Sequence, residues 1–429
     1  MTRSASTSPA PARVLGRVAL LCLGLNGIVG VGIFFAPSEV AAALPGARGL
    51  LAYVGTALLL APVAAVYARL GSRFDEDGGP YIWARAAFGR GASFGVGWMA
   101  YVSAVFSSAA VVAGLSGHLA SWLGLSGAGA RVLGIALVGV LGALVATGLK
   151  PSARIWTALT LLKLFPLLLL VAAFAALGPS AIAETPVPAS EAGDWLRAML
   201  IVVFTLQGFE IVPVVARRAS HSRHSVPWST AGALLLSACL YVLLHAACVA
   251  ALPNLASSSA PLVDAAAALG GARLASVVGA GATVSALGIA FGMFAITPRY
   301  LCVLGSSDAF GPRWARESDR GVPGPALGVT LCAIAVLVGL GELGELFALS
   351  SIAVMVQYAA SAAALGKLSW QHYQGFSRAD LVAVVLVAFA IAFLVPAATP
   401  REVGIAVGVL GVGFLLYRLP RGRSTGLPS

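Results

Sequence analysis

The stretch Asn26-Gly27-Ile28-Val29-Gly30-Val31-Gly32-Ile33-Phe34 decides the fold. It places three glycines and an asparagine near the middle of the first long apolar run. Glycine lowers helix stability by up to about 1 kcal/mol relative to alanine, and unwound backbone at membrane depth is tolerated only where it is buried or lines a cavity. The stretch therefore predicts a membrane helix interrupted at Gly30-Val31-Gly32, with a binding site at the interruption.

The composition around this stretch is that of a membrane protein. Of the 429 residues, 59% are hydrophobic and 10% are charged, whereas soluble domains carry about 25% charged residues. Apolar runs fill the chain from Val14 to Tyr417 and leave no room for a sizeable soluble domain. The net charge of +11 does not indicate nucleic acid, because the basic residues lie between apolar runs. The five cysteines lie inside apolar stretches, so neither a disulfide framework nor a metal or cofactor is predicted.

Hydropathy and turn signals predict an all-α polytopic membrane protein with about twelve spans. An even number places both termini on one side of the membrane. Lysine and arginine residues concentrate on that side, which the positive-inside rule identifies as the cytoplasm, so we expect a multi-pass protein of the cytoplasmic (inner) membrane. On the other side lie Arg48, Arg131, Arg197, Arg273 and Arg401. The predicted spans are 14–35, 49–71, 94–123, 131–149, 155–178, 195–216, 230–252, 274–298, 324–341, 345–366, 379–396 and 401–418.

The sixth span holds a second predicted break, Phe204-Thr205-Leu206-Gln207-Gly208-Phe209-Glu210. If spans one to five and six to ten are repeats of opposite topology, the two breaks correspond, and such a pair is the best sequence indication of a transporter binding site. The glycine pairs Gly404/Gly408 and Gly288/Gly292 are instead predicted to be sites of close helix packing. The predicted organisation is a cytoplasmic tail (1–13), a first repeat (14–178), a second repeat (195–366), two additional helices (379–418) and a cytoplasmic tail (419–429).

The chemistry of two such breaks suits an amino acid. Free N–H groups that open the outer half of the first helix lie at its positive dipole end and favour a carboxylate. Freed carbonyl groups at the end of the inner half-helix and in the sixth helix favour an ammonium group. We therefore predict a small-molecule amino acid as the substrate.

At this point the chain resembles the amino acid–polyamine–organocation transporters, over roughly residues 14–366. The segments that carry the resemblance are Ile28–Phe34, Tyr67–Phe74 with Gly78-Gly79-Pro80-Tyr81, Thr160–Pro166 and Gly208-Phe209-Glu210. The resemblance implies the five-plus-five inverted-repeat fold (the LeuT fold), with helices one and six broken. It also implies that the amides of Val31, Gly32 and Ile33, next to Gly30, hold the substrate carboxylate, while the Ile28 carbonyl meets the amino group.

The resemblance further implies roles for the sixth span and for Lys163. Phe204 becomes an aromatic gate whose carbonyl is a second amino-group ligand, beside the break at Gly208. The substrate side chain would face Thr205, Leu206 and Gln207. Lys163 stands where relatives hold a sodium ion. It lies about 12 Å deep at 1.5 Å per residue, where a charge costs roughly 2.5–3.5 kcal/mol, which makes it a functional hypothesis by default.

Two further polar residues are candidates for coupling. Ser285 in span eight is predicted to face the same cation position as Lys163, with core packing as an equal alternative. Glu210 either hydrogen-bonds exposed backbone or carries a proton. An ammonium at a cation site can connect helices one and five without sodium, so we predict sodium-independent transport.

The departures from the family keep alternatives open. Arg69 stands where relatives usually have an acid, and Arg217-Arg218 where acids are usual nearby. Proton-coupled symport and exchange stay open, and the missing side-chain carboxylate pair favours neutral amino acids. The alternatives are an antiporter of cationic amino acids or amines and a transporter-like sensor that binds without turnover. No catalytic motif indicates an enzyme, the oligomeric state is undetermined, and the connection at 253–272 is predicted to be an external loop.

Overall fold

The computed structural model describes residues 16–74, 79–148, 153–177, 192–214, 222–306, 311–372 and 377–418. These ranges form helices and short connections, and no strand occurs within them. Arg217-Arg218 lie outside the described residues. The helices are α1 (Arg17–Ile28), α2 (Val31–Ala43), α3 (Arg48–Gly71), α4 (Pro80–Phe88), α5 (Arg90–Trp122), α6 (Gly127–Ala146), α7 (Ala153–Leu177), α8 (Ala192–Leu206), α9 (Ile211–Val214), α10 (Ser222–Ala251), α11 (Pro261–Ser306), α12 (Gly324–Leu340), α13 (Leu343–Trp370), α14 (Leu381–Leu394) and α15 (Pro400–Arg418).

The number of long apolar helices makes the chain a polytopic α-helical membrane protein. In the described ranges, nine helices are long and apolar enough to cross a bilayer, and the bent pair of α1 and α2 is a tenth. Two shorter apolar helices, Leu161–Ala176 within α7 and Gly324–Leu340, coincide with the predicted fifth and ninth spans. The predicted fold class is therefore confirmed. The count of twelve spans and the two repeats stay predictions.

The long helices differ in how far the rest of the protein surrounds them. Helices α5 and α13 pack against each other and are the most enclosed, whereas α14 and α15 expose most of their surface. The two helices predicted beyond the second repeat thus lie at the periphery. Gly404 and Gly408 of α15 face open space, so the close helix packing predicted for this pair is wrong.

The connection predicted as an external loop contains helical structure. Leu255–Ser257 forms a 3-10 turn, and α11 begins at Pro261, ten residues before a kink at Gly271. Proline fits the first turn of a helix because its missing N–H would have no partner there, and Asp264 complements the helix dipole. Gly271 has a φ of +69°, which lets the chain turn from this first part of α11 into the rest of the helix.

Candidate functional site

The first membrane helix is interrupted at Val29 and Gly30. The predicted interruption, Gly30-Val31-Gly32, is thus correct at Gly30 only, because Val31 and Gly32 already belong to the next helix. Helix α1 ends at Ile28, Val29 leaves the helical conformation, and Gly30 is extended with φ −126° and ψ −159°. Helix α2 then begins at Val31, and its axis is bent by 46° from that of α1. The backbone N–H groups that open α2 therefore lack acceptors within their own helix, as the carboxylate site requires.

The second break lies in the sixth predicted span. Helix α8 ends at Leu206, a turn covers 207–210, and α9 begins at Ile211. Gly208 has a φ of +123°, a conformation that residues with a side chain rarely adopt. Glycine is therefore what allows the chain to unwind at this point.

The two breaks touch each other through backbone. A Cβ atom on Gly27 would overlap the Gly208 carbonyl oxygen, and a Cβ on Gly208 would overlap the backbone of Gly27. Gly32 is nearly as close to α8, because a Cβ there would lie 3.1 Å from the Thr205 Cα atom. The glycines at these positions thus allow the two unwound segments to lie in direct contact.

Glu210 holds the second break in its open form. One carboxylate oxygen accepts a hydrogen bond from the Gly208 N–H, and the other accepts one from the Tyr358 hydroxyl of α13. In a continuous helix the Gly208 N–H would donate to the Phe204 carbonyl. Because Glu210 takes that donor, the Phe204 carbonyl loses its usual helical partner, as a ligand for an ammonium group should. Of the two roles predicted for Glu210, bonding to exposed backbone is what the structure shows.

Lys163 lies buried between the first and fifth predicted spans. Its side chain is 2% exposed, and its Nζ donates to the Asn26 carbonyl of α1 at 2.9 Å. In an unbroken helix this carbonyl would accept from the Gly30 N–H. The ammonium therefore takes up an acceptor that the break releases and connects α7 to α1.

Ser285 lies on the helix that packs against α7. Gly281 of α11 lies directly against Pro166 of α7, and Ser285 and Lys163 are each about one turn away from that contact. The Ser285 side chain is buried, and its hydroxyl has no hydrogen-bond partner within the described ranges. Ser285 thus lies on the helix that packs against the one carrying Lys163, and its role in coupling stays a prediction.

Of the residues predicted to face the substrate side chain, Thr205 and Leu206 are buried and Gln207 is partly exposed, and two of them have protein partners. Phe204 stacks on Phe347 of α13 with ring centroids 4.2 Å apart. The Thr205 hydroxyl donates to the Val202 carbonyl, and the Gln207 amide donates to the Ser350 hydroxyl at 3.0 Å. Gln207 is therefore tied to α13. The side-chain atoms that a Cβ on Gly30 or Gly32 would meet are all hydrocarbon, namely Ile289 Cδ1, Thr205 Cγ2 and Phe204 Cε1.

The structure adds Tyr241, which the sequence did not single out. This side chain of α10 is fully buried, and its hydroxyl donates to the Ile28 carbonyl at 2.8 Å. Tyr241 thus connects α10 to the end of α1 at the first break, and the Ile28 carbonyl retains a second lone pair for a substrate amino group. The only indication of Tyr241 in the sequence was a tyrosine inside an apolar span, because a buried tyrosine hydroxyl usually has a hydrogen-bond partner.

Replacing Tyr241 by phenylalanine is expected to weaken amino acid binding about 2- to 10-fold, because a hydrogen bond contributes about 0.5–1.5 kcal/mol. The matched control is Tyr53→Phe. Tyr53 is equally buried and lies edge-on to Tyr241, yet its hydroxyl has no partner in the described part of the chain. Isothermal titration with the best ligand measures both variants. Equal affinities for Tyr241→Phe and Tyr53→Phe would contradict the role given to Tyr241.

Arg69, at the end of α3, has a partner in the structure. Arg69 forms a bidentate ion pair with Asp380, with Nε and Nη2 at 2.8 and 3.1 Å from the carboxylate oxygens. Asp380 precedes α14 and closes a capping box with Ser377. Arg69 thus joins α3 to the start of α14, a pairing that the sequence did not reveal because the residues lie 311 positions apart.

Comparison with known proteins agrees with this architecture. The family model described as amino acid permease matches residues 15–414. An uncharacterized transporter of Mycobacterium tuberculosis (strain ATCC 25618 / H37Rv) is 27% identical over 96% of this chain and 94% of its own length. The branched-chain amino acid permease BcaP of Bacillus subtilis (strain 168) is 27% identical over 56% of this chain and 55% of its own length.

A third relative has a different printed substrate. The arginine/ornithine antiporter of Pseudomonas aeruginosa is 32% identical over 36% of this chain and 33% of its own length. This family consists of membrane transporters rather than enzymes. With a match over nearly the whole chain and two broken helices that contact each other, the protein belongs to the amino acid permease family and is a membrane transporter of that kind.

Proposed function

We propose that this transporter moves neutral amino acids across the cytoplasmic membrane by alternating access, without sodium, as a proton symporter or an exchanger. Both termini would face the cytoplasm, and residues 14–178 and 195–366 would form the two inverted repeats. The hydrogen bond from Lys163 Nζ to the Asn26 carbonyl is the observation that supports transport without sodium. A resident ammonium there supplies the positive charge that a bound sodium ion would otherwise bring to the broken helix.

The substrate backbone is proposed to lie between the two breaks. Its carboxylate would meet the N–H groups of Val31, Gly32 and Ile33 at the positive end of α2, where an anion is favoured. Its ammonium would meet the carbonyls of Ile28 and Phe204. In a continuous helix each of these carbonyls would accept a hydrogen bond from a backbone N–H, and both breaks remove that donor. Because the two ligands are backbone atoms, they do not depend on the type of side chain at either position.

The hydrocarbon groups around Gly30 and Gly32 favour a neutral, apolar substrate side chain. Glu210 is the nearest described carboxylate in the break, and both of its oxygens already accept hydrogen bonds from the protein. It is therefore a poor counter-ion for a cationic side chain. The name of the Bacillus subtilis relative agrees with this class of substrate.

A second candidate is exchange of cationic amino acids or amines. The name of the Pseudomonas aeruginosa relative supports it, over about a third of the chain. It requires Glu210 to release Tyr358 or Gly208 when the substrate binds. A sensor that binds an amino acid without transporting it is the third candidate. Only a measurement of transport distinguishes it from the other two.

A thermal-shift screen over all amino acids and common amines tests the proposed substrate class. We expect branched or other neutral amino acids to raise the melting temperature, and lysine, arginine and ornithine to leave it unchanged. The ligands found are then tested for uptake into liposomes with and without a pH gradient. Stabilisation by arginine alone would support the second candidate, and binding without uptake or exchange would support the third.

A further inference from the structure

A long groove runs along the outer surface between α3 and α10, away from the two breaks. Its volume is about 870 Å³, within the roughly 300–1,000 Å³ that small-molecule sites occupy. Small side chains create it, because alanines such as Ala57, Ala61 and Ala65 of α3 line its floor. Its rims carry exposed leucines, with Leu58 69% and Leu235 64% exposed. Both helices are membrane spans, so this surface faces hydrocarbon.

One end of the groove is basic. Helices α3 and α10 run antiparallel, so the last turn of α3 and the first turn of α10 lie at the same end, and Arg69 and Arg223 line the groove there. Arg73 lies just beyond the end of α3. Burial and the nearby guanidinium groups of Arg69 and Arg223 lower the pKa of Arg73, and Asp380 opposes this only in part. Asp380 compensates the charge of Arg69, so the exposed guanidinium of Arg223, with Arg73 near it, is the group that an anion at this end would meet.

An apolar groove with a basic end is suited to a molecule that has an apolar chain and an anionic headgroup. An acyl chain fills hydrocarbon-lined space that would otherwise lose its van der Waals contacts. A phosphate at the membrane interface suits arginine, whose planar fork binds phosphate oxygens. We propose that this groove binds an anionic phospholipid, with one acyl chain between α3 and α10 and the headgroup phosphate at Arg223 and Arg73.

Native mass spectrometry of the purified full-length protein tests this proposal. The protein is titrated with phosphatidylglycerol and with phosphatidylcholine of the same acyl chains, and the retained lipid is counted. We expect the wild type to retain phosphatidylglycerol preferentially. Each arginine near an anionic lipid strengthens binding about fivefold, so Arg223→Gln should reduce the preference about fivefold and Arg73→Gln with Arg223→Gln about 25-fold.

The controls separate the headgroup from the acyl chain. Ala65→Leu fills the trough and should reduce retention of both lipids, whereas Ala136→Leu, at an exposed position of α6, should not. Arg316→Gln, at an exposed arginine far along the chain, should keep the wild-type preference. An excess of glycerol phosphate, which lacks acyl chains, should not displace the lipid. The proposal is overturned if the double variant keeps the preference, if both lipids bind the wild type equally, or if glycerol phosphate displaces the lipid.

The lipid readout does not depend on transport. A transporter of any substrate class could pass or fail this test, and a failed uptake assay would leave the lipid measurement intact. Each variant is first compared with the wild type by elution volume and melting temperature. If Ala65→Leu does not fold, the two arginine variants alone decide the outcome.

Discussion

Lys163→Met is expected to abolish transport while leaving the folded protein at least as stable as the wild type. Methionine keeps most of the length of the side chain and removes the charge and the donor to the Asn26 carbonyl. Hydrogen bonds from charged groups contribute about 1.5–3 kcal/mol, so substrate binding should weaken about 10- to 150-fold. Removal of a buried charge in favour of an apolar side chain is often neutral or stabilising for the fold. Uptake into liposomes and the melting temperature are the two measurements.

The chain offers a matched control for this variant. Lys367 of α13 is exposed, and its ammonium lies 5.2 Å from the centre of the Phe88 ring. Lys367→Met should transport like the wild type. If Lys163→Met retained normal uptake, or lost stability and uptake together, the ammonium would be a structural group and the proposed role would fail.

Gly208→Ala is expected to remove substrate binding. The residue has a φ of +123°, and positive φ costs a residue with a side chain about 1–2 kcal/mol. The added Cβ would also overlap the backbone of Gly27, which cannot move as a flexible side chain would. The two breaks must then separate, and the carbonyl and amide ligands no longer face the same space. Isothermal titration with the best ligand measures the loss.

Gly408→Ala is the control for the same chemical change. Gly408 lies in α15 with open space around its Cβ direction, so alanine should raise helix stability by up to about 1 kcal/mol and leave binding unchanged. Opposite effects on the melting temperature are expected for the two variants. Similar effects would show that the backbone contact between Gly27 and Gly208 does not restrict the residue at position 208.

Gly30→Leu tests the carboxylate site if Gly208→Ala does not fold. The backbone of Gly30 is extended, which any residue can adopt, and the nearest atom to an added Cβ is the end of the Ile289 side chain at 3.1 Å. The fold should therefore survive, while the leucine side chain fills the space in front of the first amides of α2. Normal substrate binding by this variant would refute the assignment of those amides.

Local sequence signals predicted both breaks and the burial of Lys163. Clustered glycines weaken a helix wherever they occur, and a lysine deep in an apolar span cannot easily extend its ammonium to water. The breaks and the buried lysine therefore follow from nearby residues alone. Tyr241, Tyr358 and the ion pair of Arg69 with Asp380 could not be predicted in this way. Each joins residues more than a hundred positions apart, and only the tertiary packing of α3, α10, α13 and α14 brings them together.

The short helix at the start of α11 and the open surface of α15 were not predicted from the sequence. Pro261 can end a helix or begin one, and hydropathy does not distinguish a short helix between two spans from a loop. Gly404 and Gly408 have the spacing of a packing motif, but whether another helix covers them depends on the position of α15 at the periphery.

The central claim is that Lys163 replaces a sodium ion, and uptake of the best ligand in sodium-free liposomes tests it most directly. The wild-type protein is compared in choline and sodium buffers, each with and without a protonophore. We predict the same uptake in both buffers. Uptake that strictly requires sodium and survives collapse of the proton gradient would contradict the claim.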